Sequence, residues 1–196
     1  MKKLVLTEFN RVELVESPIP TPGPDQAVIR IKYAGICGSD LHVLAGLHPT
    51  AKPPLVMGHE ACGELYAIQS ARTDIKVGDM VCCHTVEPCN ACEGCSSGRE
   101  NLCDSVKIMG TSMDGVFAQY VLVDANRVIK FRAGVDERVA ALAEPLTVGF
   151  HDIRRSGLQA GENVLISGAG PIGLVIGMLA KFSGAANVVM TEIDDT

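Results

Sequence analysis

The feature that most restricts the fold is a run of four cysteines, Cys89-x2-Cys92-x2-Cys95-x7-Cys103. In a reducing cytosol, metal binding competes well with disulfide formation for such thiols. Four thiolates in one loop match a closed tetrahedral zinc site, which orders the segment around it and leaves no position for chemistry. The first spacings are shared with an iron–sulfur pattern. That pattern continues with three residues and a Cys-Pro, whereas seven residues intervene here and Asp104 follows Cys103. Zinc is therefore expected, in a lobe spanning 87–104. Four buried free thiols fit these surroundings poorly, because the loop carries Glu87, Asn90, Glu93, Arg99 and Glu100. Arg99 or Lys107 can partly offset the excess negative charge of four thiolates on one Zn²⁺.

The rest of the first 145 residues reads as strand and turn. Residues 27–33 alternate apolar and polar over their second half, as a half-buried strand does, and 63–68 alternate too. Residues 77–81 read as a turn entering a strand, and 117–123 as a strand preceded by the Asp114-Gly115 turn. Pro18, Pro20, Pro22 and Pro24 mark an extended connection. Many short strands joined by Gly/Pro turns predict a barrel-like β domain. Cys62, Cys82 and Cys83 read as small strand residues, and His48, His84 and His151 match no motif. With 47% of residues hydrophobic, the chain is not of the disordered class. A net charge of −6 lacks the basic footprint of a nucleic-acid binder. The longest nearly apolar stretch, 171–180, falls short of the about 20 residues needed to cross a bilayer. The chain start reaches Glu8 too soon for a secretory apolar region. These readings predict a soluble, cytoplasmic protein with neither nucleic acid nor membrane as partner.

The texture changes near Glu144. Pro145 suits the first turn of a helix, where a missing N–H costs nothing, and apolar residues carry that helix to about Arg155. Residues 164–167 read as a short buried strand, followed by Gly168-Ala169-Gly170-Pro171-Ile172-Gly173. A helix from Leu174 to about Ser183 and a second strand over 187–191 complete one βαβ unit. A lone G-x-G-x-x-G is weak evidence. Here it follows a strand, opens a helix and is trailed by Glu192 about 20 positions on, the context of a dinucleotide-binding turn. Gly168 permits the tight turn, Gly170 lets backbone approach a pyrophosphate, and Gly173 lets the helix pack closely on the strand. Pro171 and Ile172, between the last two glycines, belong to the same expected coenzyme site, whose helix N-terminus offers unpaired N–H groups to phosphates. Glu192 can accept hydrogen bonds from ribose hydroxyls and repels a 2′-phosphate, favouring NAD over NADP. Asp194 is the alternative acidic residue, and a βαβ turn that binds nothing is the bland one.

Two further segments hold ligands for borderline-soft zinc: Cys37-Gly38-Ser39-Asp40-Leu41-His42 and Gly58-His59-Glu60. Each is weak alone. Together with the four-cysteine loop and the glycine turn, in this order, they make the whole chain resemble the zinc-dependent medium-chain alcohol and polyol dehydrogenases. The resemblance implies an α/β protein, with a GroES-like β-barrel domain over 1–145 and the start of a Rossmann coenzyme domain over 146–196. It places the active site in the cleft between the two domains. It also implies two zinc ions per chain, one catalytic and one structural, together with NAD. Cys37 and His59 match the catalytic zinc ligands. Ser39 matches the hydroxyl that meets the substrate oxygen and starts a proton relay, and His42 the relay's outer imidazole. Asp40 and Glu60 match supporting or alternate ligand carboxylates. Glu144, in Ala143-Glu144-Pro145-Leu146, stands where simple alcohol dehydrogenases often have cysteine, as in the sorbitol, threonine and butanediol dehydrogenase branch. On this resemblance Glu60 or Glu144 takes the third protein position, directly or through water.

The implied reaction is oxidation of a small secondary alcohol or polyol with hydride transfer to NAD. L-Threonine 3-dehydrogenase is a second enzymatic reading, and an inactive zinc-binding module the non-enzymatic one. The βαβ unit supplies two of the six strands of a complete dinucleotide fold. The chain is therefore expected to be the N-terminal portion of a longer protein and to bind NAD poorly alone. A homo-oligomeric parent, dimer or tetramer, is also expected.

Overall fold

A computed structural model describes residues 1–193 of the chain; Asp194 lies outside the described residues. Two compact units are present, Met1–Leu142 and Ala143–Thr196, divided slightly ahead of the expected 145/146 boundary. The architecture is mixed α/β, a strand-rich unit followed by a βαβ unit, as the sequence predicts.

The first unit runs β1 (Lys2–Glu8), β2 (Arg11–Glu16), β3 (Gln26–Ala34), α1 (Gly38–Leu44), β4 (Leu55–Val56), β5 (Ala61–Gln69), β6 (Met80–Cys83), β7 (Val86–Glu87), α2 (Glu93–Ser96), β8 (Lys107–Ile108), β9 (Tyr120–Asp124), β10 (Val128–Lys130) and α3 (Glu137–Ala140). Its main sheet has the order β10-β6-β5-β3-β9, antiparallel throughout. The edge strands β9 and β10 follow each other in sequence through a single tight turn, Ala125–Arg127. Five strands laid flat would separate those edges by about 19 Å, at about 4.8 Å per strand. The four steps of chain joining them reach at most about 14 Å. The sheet must therefore curl on itself, which is the barrel-like form expected. Inside the curl pack Ala27, Ile29, Leu65, Val81, Val121, Val123 and Val128, with Ile31 beside them. The alternation of Ala27, Ile29 and Ile31 is the period of two that marks β3 in the sequence.

A smaller sheet, β2-β1-β4, has its own core of Leu6, Val43, Leu55 and Met57. The strand expected over 117–123 begins only at Tyr120. The residues before it bond elsewhere: Phe117 O accepts Leu4 N–H at 2.8 Å, and Phe117 N–H donates to Met57 O at 3.0 Å. An apolar run looks like one strand in sequence even when its backbone serves two partners. The β1–β2 hairpin and the helices α1, α2 and α3 carry no long periodic signal and were not expected.

The second unit consists of α4 (Ala143–Ser156), β11 (Asn163–Ser167), α5 (Pro171–Phe182) and β12 (Asn187–Thr191). β11 and β12 pair in parallel from Asn163↔Asn187 to Ser167↔Thr191. Val164 and Val188 from the strands pack with Ile153, Ile176, Leu179 and Ala180 from the helices. Pro145 falls in the first turn of α4, as predicted, while α5 begins at Pro171, ahead of the expected Leu174. Proline at a first helical position needs no N–H partner, so α5 can start directly after Gly170. No helix among the described residues is long and apolar enough to cross a membrane.

Leu65 is fully buried at the centre of the curled sheet. Leu65→Ala is expected to cost about 2–5 kcal/mol, read as a lower urea midpoint with unchanged slope.

Candidate functional site

Cys37 caps α1 in an extended conformation, φ −85° and ψ 154°. Three residues on, Asp40 turns back and accepts the Cys37 N–H through Oδ2 at 2.9 Å, one arm of a capping box. Its other oxygen accepts the Gly58 N–H at 3.1 Å. Asp40 is only 3% exposed. One buried carboxylate thus ties together the two segments that carry Cys37 and His59. Gly58 sits at φ +90°, a conformation side chains resist, and turns the chain into His59 and Glu60. Gly58 O accepts the Val116 N–H at 3.0 Å, which fixes this turn from the other side.

The outcome is convergence: the ligating atoms of Cys37, His59 and Glu60 all lie within 4.8 Å of one another. His59 Nδ1 is buried and faces Asp40 Oδ1 at 3.7 Å. That nitrogen has no hydrogen-bond partner among the described residues. Asp40 and Glu60 are both buried, and among the described residues neither forms an ion pair with Lys or Arg. Two buried carboxylates beside a thiol call for a cation to offset them. Thiol, imidazole and carboxylate are also a donor set that suits zinc with three protein ligands and one open position. Ser39 and His42, three apart on α1, share a helix face, while Asp40 and Val43 take the buried one. Ser39 is half-buried and His42 exposed.

The four-cysteine loop forms the second cluster, its ligand atoms again within 4.8 Å of one another. The thiols are unbridged. Sγ of Cys95 lies 3.5 Å from that of Cys92 and 3.9 Å from that of Cys89. Tetrahedral zinc at about 2.3 Å from each sulfur would place sulfurs about 3.8 Å apart, so the cluster fits the ion. Backbone N–H groups point at the sulfurs: Cys89 N–H and Ser105 N–H both donate to Cys103 Sγ. The N–H groups of Cys95 and Asp104 bring Cys92 down to about 6. Those of Ala91 and Cys92 hold Cys89 below the usual thiol range. Burial, then hydrogen bonding to Cys92 and Cys103, pushes Cys95 up to about 12. A divalent cation among these sulfurs would favour the thiolate at every one. Cys82 and Cys83, by contrast, are strand residues of β6 that burial pushes up to about 11 and about 12, and Cys62 donates from β5 to Glu137 O.

In the second unit, Gly168 sits at φ +98°, and a Cβ on Gly173 would run into Gly168 O. Gly168 thus takes a conformation that side chains resist, and Gly173 lets the start of α5 lie against the Gly168 carbonyl. Gly170 caps α5 and faces open space, with Pro171 and Ile172 in the first turn. Glu192 follows β12. Its Oε2 accepts the Ala169 N–H at 2.8 Å and its Oε1 the Ile193 N–H at 2.7 Å. The carboxylate therefore braces the glycine turn against the end of β12, a link the sequence did not reveal. Glu144 is the second residue of α4, and its carbonyl accepts the Thr147 hydroxyl at 2.7 Å. Also unread in the sequence was the bond from Gly58 to Asp40, although the spacing Cys37-x-x-Asp40 signals half of that clamp.

Residues 23–133 match the alcohol dehydrogenase GroES-like domain. The chain belongs to that family. Among its relatives, L-galactonate-5-dehydrogenase of Escherichia coli (strain K12) is 38% identical over 189 residues, covering 96% of this chain and 55% of that protein. The sorbitol dehydrogenase of Halalkalibacterium halodurans is 39% identical over 192 residues, covering 96% and 56%. Among solved structures, a short chain alcohol dehydrogenase from E. coli CFT073, complexed with NADH, superposes with a TM-score of 0.93 at 33% identity. It is matched over 100% of this chain and 57% of that one. This GroES-like family member thus spans about half the length of these relatives.

Asp40→Ala would leave the N–H groups of Cys37 and Gly58 without their acceptor. The expected loss is about 1.5–3 kcal/mol for each charge-assisted bond, with faster amide exchange at those two positions. Unchanged exchange there would show that Asp40 does not hold the two segments.

Proposed function

We propose that the protein oxidises a small secondary alcohol or polyol and passes the hydride to NAD. The first unit is the zinc-bearing domain, and the second belongs to the coenzyme domain. One zinc is held by Cys37, His59 and Glu60, the other by Cys89, Cys92, Cys95 and Cys103. The observation that carries this reading is the convergence of Cys37, His59 and Glu60 beside the buried Asp40. Glu60 is taken as the third ligand because its carboxylate belongs to that converging group.

Zinc at this site supplies Lewis acidity, which makes an alcohol proton easier to lose at neutral pH. Asp40 holds the segments that carry Cys37 and His59, and the Ser39 hydroxyl takes up the substrate proton as it passes on its own. His42, exposed one turn along the same helix face, hands the proton to water, a task suited to an imidazole. A nicotinamide coenzyme would supply the hydride acceptor. The turn from Gly168 to Gly173 and the N-terminus of α5 would hold its pyrophosphate. Glu192 suits ribose hydroxyls and opposes a 2′-phosphate. The names of the relatives that act on sorbitol and L-galactonate favour a polyhydroxylated substrate. A four-thiolate cluster belongs in a reducing compartment, which supports the cytoplasm. A homo-oligomer is part of the same proposal.

Metal analysis tests the reading. The chain is expected to hold two zinc ions, falling to one in Cys37→Ser and to one in Cys95→Ser. In the complete protein, NADH should form on addition of a polyol or secondary alcohol, and His42→Ala should lower kcat by about 10²-fold. A single zinc confined to the four-cysteine loop, with no NADH formed from sorbitol, L-threonine or 2,3-butanediol, would instead indicate a structural zinc module.

A further inference from the structure

We infer that Gly35 is a positioning residue for the Cys37–His59–Glu60 site: its missing side chain leaves the space in which the Glu60 carboxylate turns toward the thiol and the imidazole. The inference rests on reading Glu60 as the third ligand. Gly35 directly follows β3, two residues before Cys37, and Glu60 directly precedes β5. The two strands pair up to Ala34↔Ala61, so Gly35 and Glu60 face each other just past the end of the ladder. Gly35 N–H donates to Glu60 O at 2.8 Å, which locks that opposition.

A Cβ placed on Gly35 would run into Glu60 Oε2 and would also lie 3.2 Å from Glu60 Cβ and 3.3 Å from its Cδ. The side chain therefore lies along Gly35 for its whole length. Glu60 is 8% exposed, so little room remains for its carboxylate to swing elsewhere. Backbone conformation does not explain the glycine, because Gly35 is not among the residues at positive φ. Space does. Gly38, one residue beyond Cys37, is the contrast, since a Cβ there would meet nothing within 4 Å. Of the two glycines flanking Cys37, only Gly35 is sterically coupled to the ligand set.

The test is zinc affinity of the full chain, by competition with a chromogenic chelator, together with the absorption bands of Co²⁺ placed in the Cys37–His59–Glu60 site. Gly35→Ala is expected to weaken that site about 10–100-fold, the range for residues that orient metal ligands, and to shift the cobalt bands. Gly38→Ala should do neither, and the four-cysteine site should be unchanged in both. In a Glu60→Ala background, Gly35→Ala should cost nothing further. Should Gly35→Ala lower thermal stability, the same contact predicts recovery in the double variant. If Glu60→Ala weakens the site but Gly35→Ala leaves affinity and bands unchanged, the inference fails while Glu60 remains a ligand. An additional loss from Gly35→Ala in the Glu60→Ala background, or no recovery of stability there, also overturns it. If Glu60→Ala itself has no effect, the ligand reading of Glu60 fails and the inference with it.

Discussion

A buried carboxylate is the hinge of this structure. Asp40 accepts one N–H from Cys37, its neighbour in sequence, and one from Gly58, distant in the chain. Burying a charge costs several kcal/mol unless it is well bonded. Two backbone donors answer part of that cost, and they do so only while α1 and the turn at Gly58 keep their relative places. The charge thus converts its own desolvation into positional order. The thiol, the imidazole and the second carboxylate, Glu60, inherit that order, and a divalent cation would balance carboxylates that form no ion pair with Lys or Arg among the described residues.

The two proposed metal sites obtain geometry in different ways. The four-cysteine loop is local in sequence and has little hydrophobic core, with α2 only one turn long. Its backbone N–H groups already aim at sulfur, and an ion would hold the rest. The Cys37–His59–Glu60 site is non-local and relies on the curled sheet. Strands β3 and β5 form the longest ladder, and the site lies at its end, where the strands diverge into α1 and the Gly58 turn. A closed site built on a loop and an open-position site built on a sheet end suit ordering and chemistry respectively.

How much was legible in the sequence follows from range. The cysteine spacing, the glycine turn with its strand–helix context and the alternation in β3 are local patterns, and the structure shows clustered thiols, a strand–turn–helix and a strand at those places. Cys37 with His59 could be joined in sequence only through a family resemblance, because nothing local says that residues 37 and 59 meet. The structure supplies the reason in the Gly58 N–H bond to Asp40. Phe117 was read as strand because its apolar neighbours continue, while its backbone bonds run to Leu4 and Met57. Glu192 reads as a ribose acceptor, yet it also steadies Ala169, a bond across the βαβ unit that no spacing announces. Gly35 left no signal, because its value lies in the absence of an atom against a residue that precedes another strand.

The most direct test of the central claim is anomalous X-ray diffraction at the zinc edge from crystals of the zinc-loaded chain. The account predicts two peaks: one bounded by Cys37 Sγ, a His59 ring nitrogen and a Glu60 oxygen, the other by the four sulfurs of Cys89, Cys92, Cys95 and Cys103. A single peak among the four cysteines, with the side chains of Cys37 and His59 turned away from each other, would contradict it.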